Sequence, residues 1–141
     1  MQNGLYIVAT PIGNLGDLSP RAAETLANAD VIACEDTRIA KKLFALLNIS
    51  TVGKKFIVYQ NYNEEDEAQN IINLAVNDGK SIALVSDAGS PLISDPGYRL
   101  VRKAREQNVF VTVLPGCCAL VCALQLSGLP TNRFLFAGFI P

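Results

Sequence analysis

Short apolar runs alternate with helical patterns along the whole chain, and this alternation restricts the fold more than any single motif does. Residues 5–9, 30–34, 56–59, 82–85 and 109–114 are mainly apolar runs of four to six residues. Runs of that length, rich in branched side chains, suit strands buried on both faces. Segments 20–29, 37–47, 64–78, 98–107 and 117–126 read as helices. In the second of these, Ile39, Leu43, Leu46 and Leu47 lie close to one face. Ser19-Pro20 supplies an N-cap and a first-turn proline. Glu64-Glu65-Asp66-Glu67 sets acids at the positive end of a helix dipole, and Gly79 suits a left-handed C-cap. Residues 134–136 read as a last strand. Helical crossovers between strands make neighbouring strands parallel. The expected fold class is α/β, a mostly parallel sheet with helices on both faces.

One α/β domain accommodates 141 residues. Half of the residues are hydrophobic and 18% are charged, which excludes a disordered chain. A formal charge of −1 excludes recognition of nucleic acid by bulk charge. Two basic groups remain, Arg99, Arg102, Lys103 and Arg105 on one expected helix, and Arg38, Lys41, Lys42, Lys54 and Lys55. They either contact phosphates or form solvated faces. The chain has no histidine, so Ser–His and Cys–His nucleophile pairs and imidazole acid–base chemistry are excluded. Cys34, Cys117, Cys118 and Cys122 read as reduced, buried small residues of a cytoplasmic protein, and no metal site is expected of them. Met1-Gln2-Asn3 lacks a basic leader, and Pro115-Gly116 breaks the longest apolar stretch. Neither secretion nor membrane spanning is expected. The last residues, Phe139-Ile140-Pro141, follow directly on an apolar run, which reads as the first domain of a longer protein.

Ligands of open α/β sheets sit at the carboxyl ends of strands, so the loops there are searched first. Pro11-Ile12-Gly13-Asn14 follows the first strand, and its glycine permits close approach of backbone to a ligand. It matches neither the phosphate-binding Gly-x-x-x-x-Gly-Lys pattern nor Gly-x-Gly-x-x-Gly. Glu35-Asp36-Thr37-Arg38 follows the second strand. Its acids either pair with Arg38, cap the next helix or position a substrate. After the fourth strand comes Ser86-Asp87-Ala88-Gly89-Ser90-Pro91, with Asp87 placed to face a crevice. Further on, Asp95-Pro96-Gly97 reads as a helix start with Asp95 as N-cap. Gly116-Cys117-Cys118 opens the last helix and suits either an anion or close helix–sheet packing.

The segments LYIVATPIGNLGDLSPRA, VIACEDTR, ALVSDAGSPLISDPG and VLPGCCA, in this order, resemble the N-terminal domain of small-subunit ribosomal RNA (cytidine-2′-O)-methyltransferases. Those enzymes belong to the tetrapyrrole methylase-like superfamily. The resemblance implies a two-domain protein that holds S-adenosylmethionine between its domains, acts on small-subunit ribosomal RNA and forms a homodimer. It implies that Pro11, Ile12, Gly13, Asp87, Gly89, Ser90, Pro91, Gly116, Cys117 and Cys118 line the cofactor side. Glu35 and Asp36 become the candidate catalytic carboxylates, with Asn14 and Arg38 on the substrate side. Two departures stand out. Many relatives carry a histidine where this chain has Gln60 or Asn61, and Cys117-Cys118 replaces a Ser-containing pair. A small-molecule methylase of the same superfamily, and a non-catalytic nucleotide-binding module, are the rival readings. Small-molecule methylases favour a Gly-x-Gly-x-Gly-Asp loop, which this chain lacks.

Overall fold

A computed structural model describes residues 1–141. The apolar runs form strands β1 (Gly4–Val8), β2 (Val31–Cys34), β3 (Lys55–Val58), β4 (Ser81–Leu84) and β5 (Val111–Leu114). Every neighbouring pair is parallel, in the order β3-β2-β4-β1-β5. Between them run α1 (Pro20–Asn28), α2 (Thr37–Leu46), α3 (Glu64–Asp78) and α4 (Tyr98–Glu106), and α5 (Ala119–Leu126) follows β5. The first two connections run one way along the sheet and the next two run the other way. Right-handed crossovers therefore put α1 and α2 on one face and α3 and α4 on the other.

The core divides the same way. Tyr6, Val8, Leu26, Ile32 and Phe44 pack in the α1/α2 layer, while Leu5, Ile71, Ile82, Leu84 and Leu100 pack in the α3/α4 layer. Alternate residues of β1 and β4 thus point to opposite layers, as the two-residue period of a strand requires. Strands β4 and β1 are neighbours, yet their connections leave in opposite directions. That reversal opens a crevice at their carboxyl ends.

Local signals account for the helix ends. The Ser19 hydroxyl accepts from the Ala22 N–H at 3.1 Å, with Pro20 in the first turn. Gly79, in the left-handed region, closes α3 as expected. Lys54 donates to the Ala27 and Ala29 carbonyls at 2.6 and 2.7 Å, satisfying the carboxyl end of α1. Lys41 lies over the Phe56 ring. These two lysines of the second basic group therefore have structural partners.

Asp30 locks the amino ends of β2 and β4 together. Its carboxylate accepts from the Ser81 N–H at 2.9 Å and from the Ser81 hydroxyl at 2.8 Å. Those bonds hold its pKa below the usual value. Asp30→Ala is expected to cost about 1–2 kcal/mol. Because the folded-state pKa is lowered, this contribution is present above the ordinary carboxylate pKa and is lost as pH falls through the folded value. Urea unfolding at pH 7 and pH 3 checks it, and the variant should differ from the native chain much more at pH 7.

Three expectations are corrected. Residues 134–136 form no strand. Helix α5 starts at Ala119 with Cys118 as its N-cap, two residues later than expected. Asp95 is not a cap: α4 begins after Gly97, and its first N–H groups are taken by a distant carboxylate described below. The cysteines also differ from expectation, since Cys34 is buried but Cys117 and Cys118 are half-buried and Cys122 is exposed. No residue of α5 is buried, and Leu126, Leu129, Leu135, Phe139 and Ile140 stand exposed.

Candidate active site

The loops at the carboxyl ends of the strands are fastened to one another through the segment 86–97. Thr10 and Gly89 exchange backbone hydrogen bonds of 2.9 and 3.1 Å, joining the loop after β1 to the loop after β4. Gly89 has φ +83°, and a Cβ there would sit 3.3 Å from Ile12 Cγ2. A side chain would be strained by conformation and by contact. Ser90 Oγ donates to the Cys117 carbonyl at 2.8 Å, tying in the loop after β5. Gly116 packs against Ala9 so closely that a Cβ would lie 2.9 Å from the Ala9 Cβ. Of the two readings for Gly116, close packing is the one with a visible cause. Pro91 is buried beneath the same segment.

The second strand joins through Glu35. Its carboxylate accepts from the Asp87 N–H at 3.0 Å, and its carbonyl accepts from Gln60 Nε2 at 2.7 Å. Gln60 thus ties the loop after β3 to the loop after β2. Asn63 reinforces that loop, accepting from the Gln60 N–H at 2.8 Å and donating to the Val58 carbonyl at 3.1 Å.

Glu64 closes the ring of contacts. It is buried, and its Oε1 accepts from the Gly97 N–H at 3.1 Å and the Arg99 N–H at 2.9 Å. The first residue of α3 therefore caps α4. Sequence reasoning assigned Glu64 only to its own helix dipole, because no local pattern links residues 33 positions apart. Beside it the buried Tyr59 hydroxyl meets no partner at full hydrogen-bond geometry, although after burial itself the Glu64 carboxylate is close enough to raise its pKa. Tyr59→Phe removes an unsatisfied group at little change in shape. It is expected to stabilise the fold by about 1 kcal/mol, a rise in Tm of roughly 3 °C. Thermal unfolding by circular dichroism checks this; a drop of several degrees would mean the hydroxyl has a partner.

The carboxylates at this edge differ in character. Burial raises the pKa of Glu35, and the Asp95 and Asp87 charges add to it, against the bond from the Asp87 N–H. Burial also raises Asp87, with Asp36 contributing, and raises Asp95. Asp36 goes the other way, to about 2, because Arg38 donates to it from both side chain and backbone. Asp36 is the N-cap of α2, accepting from the Arg38 N–H at 2.9 Å and from the guanidinium at 2.8 and 3.1 Å. Asn14 likewise caps a short 3₁₀ turn, Leu15–Asp17, accepting from the Gly16 N–H at 3.0 Å. Burial pushes the Cys34 thiol up to about 12, so it is no nucleophile.

The joined loops after β1 and β4 form a partition between two hollows. One, about 170 Å³, is lined by Ile12, Gly89, Ser90, Ile93, Asp95 and Cys118, among others. The other, about 280 Å³, lies against α2 and includes Pro11, Gly13, Asp87, Ile39, Lys42 and Leu43. The structure thus sorts the expected cofactor residues into two groups. Pro91, Gly116 and Cys117 line neither hollow and shape the loops from behind.

The sequence model of the tetrapyrrole (corrin/porphyrin) methylases matches residues 4–140. The chain belongs to this family. Among methylases of known sequence, a Vibrio cholerae protein named ribosomal RNA small subunit methyltransferase I is 54% identical over 137 residues, 97% of this chain and 46% of that protein. The Rickettsia prowazekii protein of the same name is 50% identical over 141 residues, 100% of this chain and 49% of that protein. The chain therefore spans about half the length of the curated relatives it matches. Among solved methylase structures, a cobalt precorrin-4 methyltransferase superposes with TM-score 0.67 at 18% identity, covering 86% of this chain and 48% of that one. Uroporphyrin III C-methyltransferase from Thermus thermophilus superposes with TM-score 0.63 at 25% identity, covering 95% and 56%. The α/β methylase fold expected from the sequence is the fold observed.

Proposed function

We propose that this chain is the N-terminal domain of an S-adenosylmethionine-dependent methyltransferase that methylates the 2′-hydroxyl of a cytidine ribose in small-subunit ribosomal RNA. One observation carries the reading: identity of 50–54% over essentially the whole chain to proteins named for ribosomal RNA methylation. The first hollow, about 170 Å³ on this domain, suits one part of the cofactor, and the second domain covers the rest. Ile12 and Ile93 offer apolar walls, Gly89 adds no side chain, and Asp95 supplies a carboxylate for a cationic group. Ile12, Gly89, Ser90, Asp95 and Cys118 would hold S-adenosylmethionine, which when bound provides an electrophilic methyl group.

This chain's own residues have three tasks. The fastened loops hold the reacting groups in one orientation, and orientation is a large share of the acceleration in a displacement reaction. Glu35 takes the hydroxyl proton: burial and neighbouring acids make it a stronger base than an ordinary carboxylate. Asp36, committed to its cap, fixes Arg38, whose guanidinium is 89% exposed and faces outward for a phosphate. Asn14, at the tip of the first loop, is a second substrate contact. The apolar surface of α5 and residues 129–140 is where the second domain packs, and a homodimer completes the assembly. Its ribosomal substrate places the protein in the cytoplasm. No helix is long and apolar enough to cross a membrane.

The test joins this chain to the second half of the Vibrio cholerae relative and incubates the chimera with small ribosomal subunits and S-adenosylmethionine. Mass spectrometry of digested RNA should show 2′-O-methylcytidine. Methylation of a base, or of an added tetrapyrrole in place of RNA, would contradict the proposal.

A further inference from the structure

The larger hollow belongs to no role assigned so far. It lies on the α2 side of the partition, and its floor is apolar, formed by Ile39, Leu43 and Leu46. Ile39 and Leu46 are 42% and 56% exposed, and with Leu43 they form one apolar patch on α2. Its rim is polar and of both signs, with Lys42 on α2 and Asp87 on the loop after β4. Arg38 lies one helical turn before Lys42 on the same helix. Its volume on this domain is about 280 Å³, against about 170 Å³ for the first hollow.

We propose that this hollow receives the acceptor nucleoside of a single-stranded RNA, with its base turned out of the stack against Ile39 and Leu43. The inference rests on the methyltransferase reading above. The chemistry of each wall fits. An unstacked base is held by apolar contact and read through its hydrogen-bonding edge. Asp87 is an acceptor for an exocyclic amine, a group that cytosine carries and uracil lacks. Lys42 and Arg38 are placed along α2 to meet the flanking phosphates. The partition explains the separation. Pro11 and Gly13 face this hollow while Ile12 faces the other; Asp87 faces this one while Gly89 and Ser90 face the other. Glu35 does not itself line this hollow; it lies behind Asp87, whose N–H it accepts at 3.0 Å, so it reaches the acceptor side through that residue. Pro11, Gly13 and Asp87 are on this view acceptor-side residues and not cofactor contacts.

The experiment titrates a six-residue oligocytidylate and, separately, S-adenosylhomocysteine into the 141-residue chain labelled at backbone amides and at Ile and Leu methyls. The oligonucleotide should shift the Ile39, Leu43 and Leu46 methyls, and S-adenosylhomocysteine should shift Ile12 and Gly89. Ile39→Ser and Lys42→Glu, both at exposed positions, should each weaken the oligonucleotide about tenfold. Both should leave S-adenosylhomocysteine affinity within twofold of the native value. Oligonucleotide shifts confined to Arg99, Arg102 and Lys103 would overturn the proposal. So would S-adenosylhomocysteine shifts in the Ile39 hollow, or dilution-dependent shifts there without RNA, which would make it a contact between two copies. If S-adenosylhomocysteine binds at Ile12 and Gly89 while Ile39 ignores RNA, only this proposal fails. If neither ligand shifts any loop residue in this chain or in the chimera, the methyltransferase reading fails with it.

Discussion

Glu35→Gln is expected to slow methyl transfer by the chimera about 10²- to 10⁴-fold, the usual contribution of a positioned base. Glutamine keeps the shape and retains an oxygen that accepts from the Asp87 N–H, so the junction between the second and fourth loops survives. What it loses is the ability to take a proton. The pH profile separates this from a structural effect. Burial and the Asp95 and Asp87 charges raise the Glu35 pKa, so the acid limb of kcat/KM should lie above the ordinary carboxylate range. The rate rises with pH through that limb, and the variant should have no such limb. Stability should move the other way. A carboxylate whose pKa is raised by folding destabilises the fold as pH climbs through the raised value, so Glu35→Gln should be at least as stable as the native chain at pH 7. Asp36→Asn provides the contrast. Its carboxylate is held at about 2 by Arg38 and serves as a cap, a duty asparagine can perform, so activity should fall only a few-fold. A loss below a few-fold for Glu35→Gln would remove it as the base.

Gly97→Ala should be the most damaging small substitution in the fold. Gly97 has φ +138°, a conformation side chains rarely adopt. A Cβ there would lie 2.7 Å from Leu92 Cδ1 and 3.0 Å from Leu84 Cδ2, inside the α3/α4 core. Leu92 Cγ would also lie 2.8 Å away, and Leu92 packs against the core cluster, so turning its methyl alone does not make room. Backbone strain and overpacking together cost about 3 kcal/mol, a fall in Tm of roughly 10 °C. The damage should reach the site, because the Gly97 N–H is one of the two groups that Glu64 holds. S-adenosylhomocysteine affinity should drop even at temperatures where the variant remains folded. A variant within 1 kcal/mol of the native chain by urea unfolding would show that the segment 86–97 is looser than its contacts imply.

What could be read from the chain, and what could not, divides by distance along it. The strands were legible because buried parallel strands are continuous apolar runs, and Ser19-Pro20 and Gly79 announced their helix ends with local chemistry. The loops at the strand ends were legible as candidates through topology alone. The contacts that fasten them were not. Glu64 to Gly97, Glu35 to Asp87 and Ser90 to Cys117 join residues 27 to 52 positions apart, and no spacing rule encodes them. Asp95-Pro96-Gly97 was misread because a strong local capping pattern was overridden by the distant Glu64. The strand expected over 134–136 does not form: these residues pair with neither edge strand of the open sheet, β3 or β5. The division of the cofactor candidates between two hollows depends on which way successive loop residues face, which only the folded partition determines.

The most direct test of the account is whether the fastened loops bind the cofactor product. S-adenosylhomocysteine titrated into the amide-labelled chain should shift Ile12, Gly89, Ser90 and Cys118 together, with a single saturable affinity, and leave β3 at the far edge of the sheet unmoved. Shifts centred instead on Arg99, Arg102 and Lys103, or none at millimolar ligand in either this chain or the chimera, would contradict it.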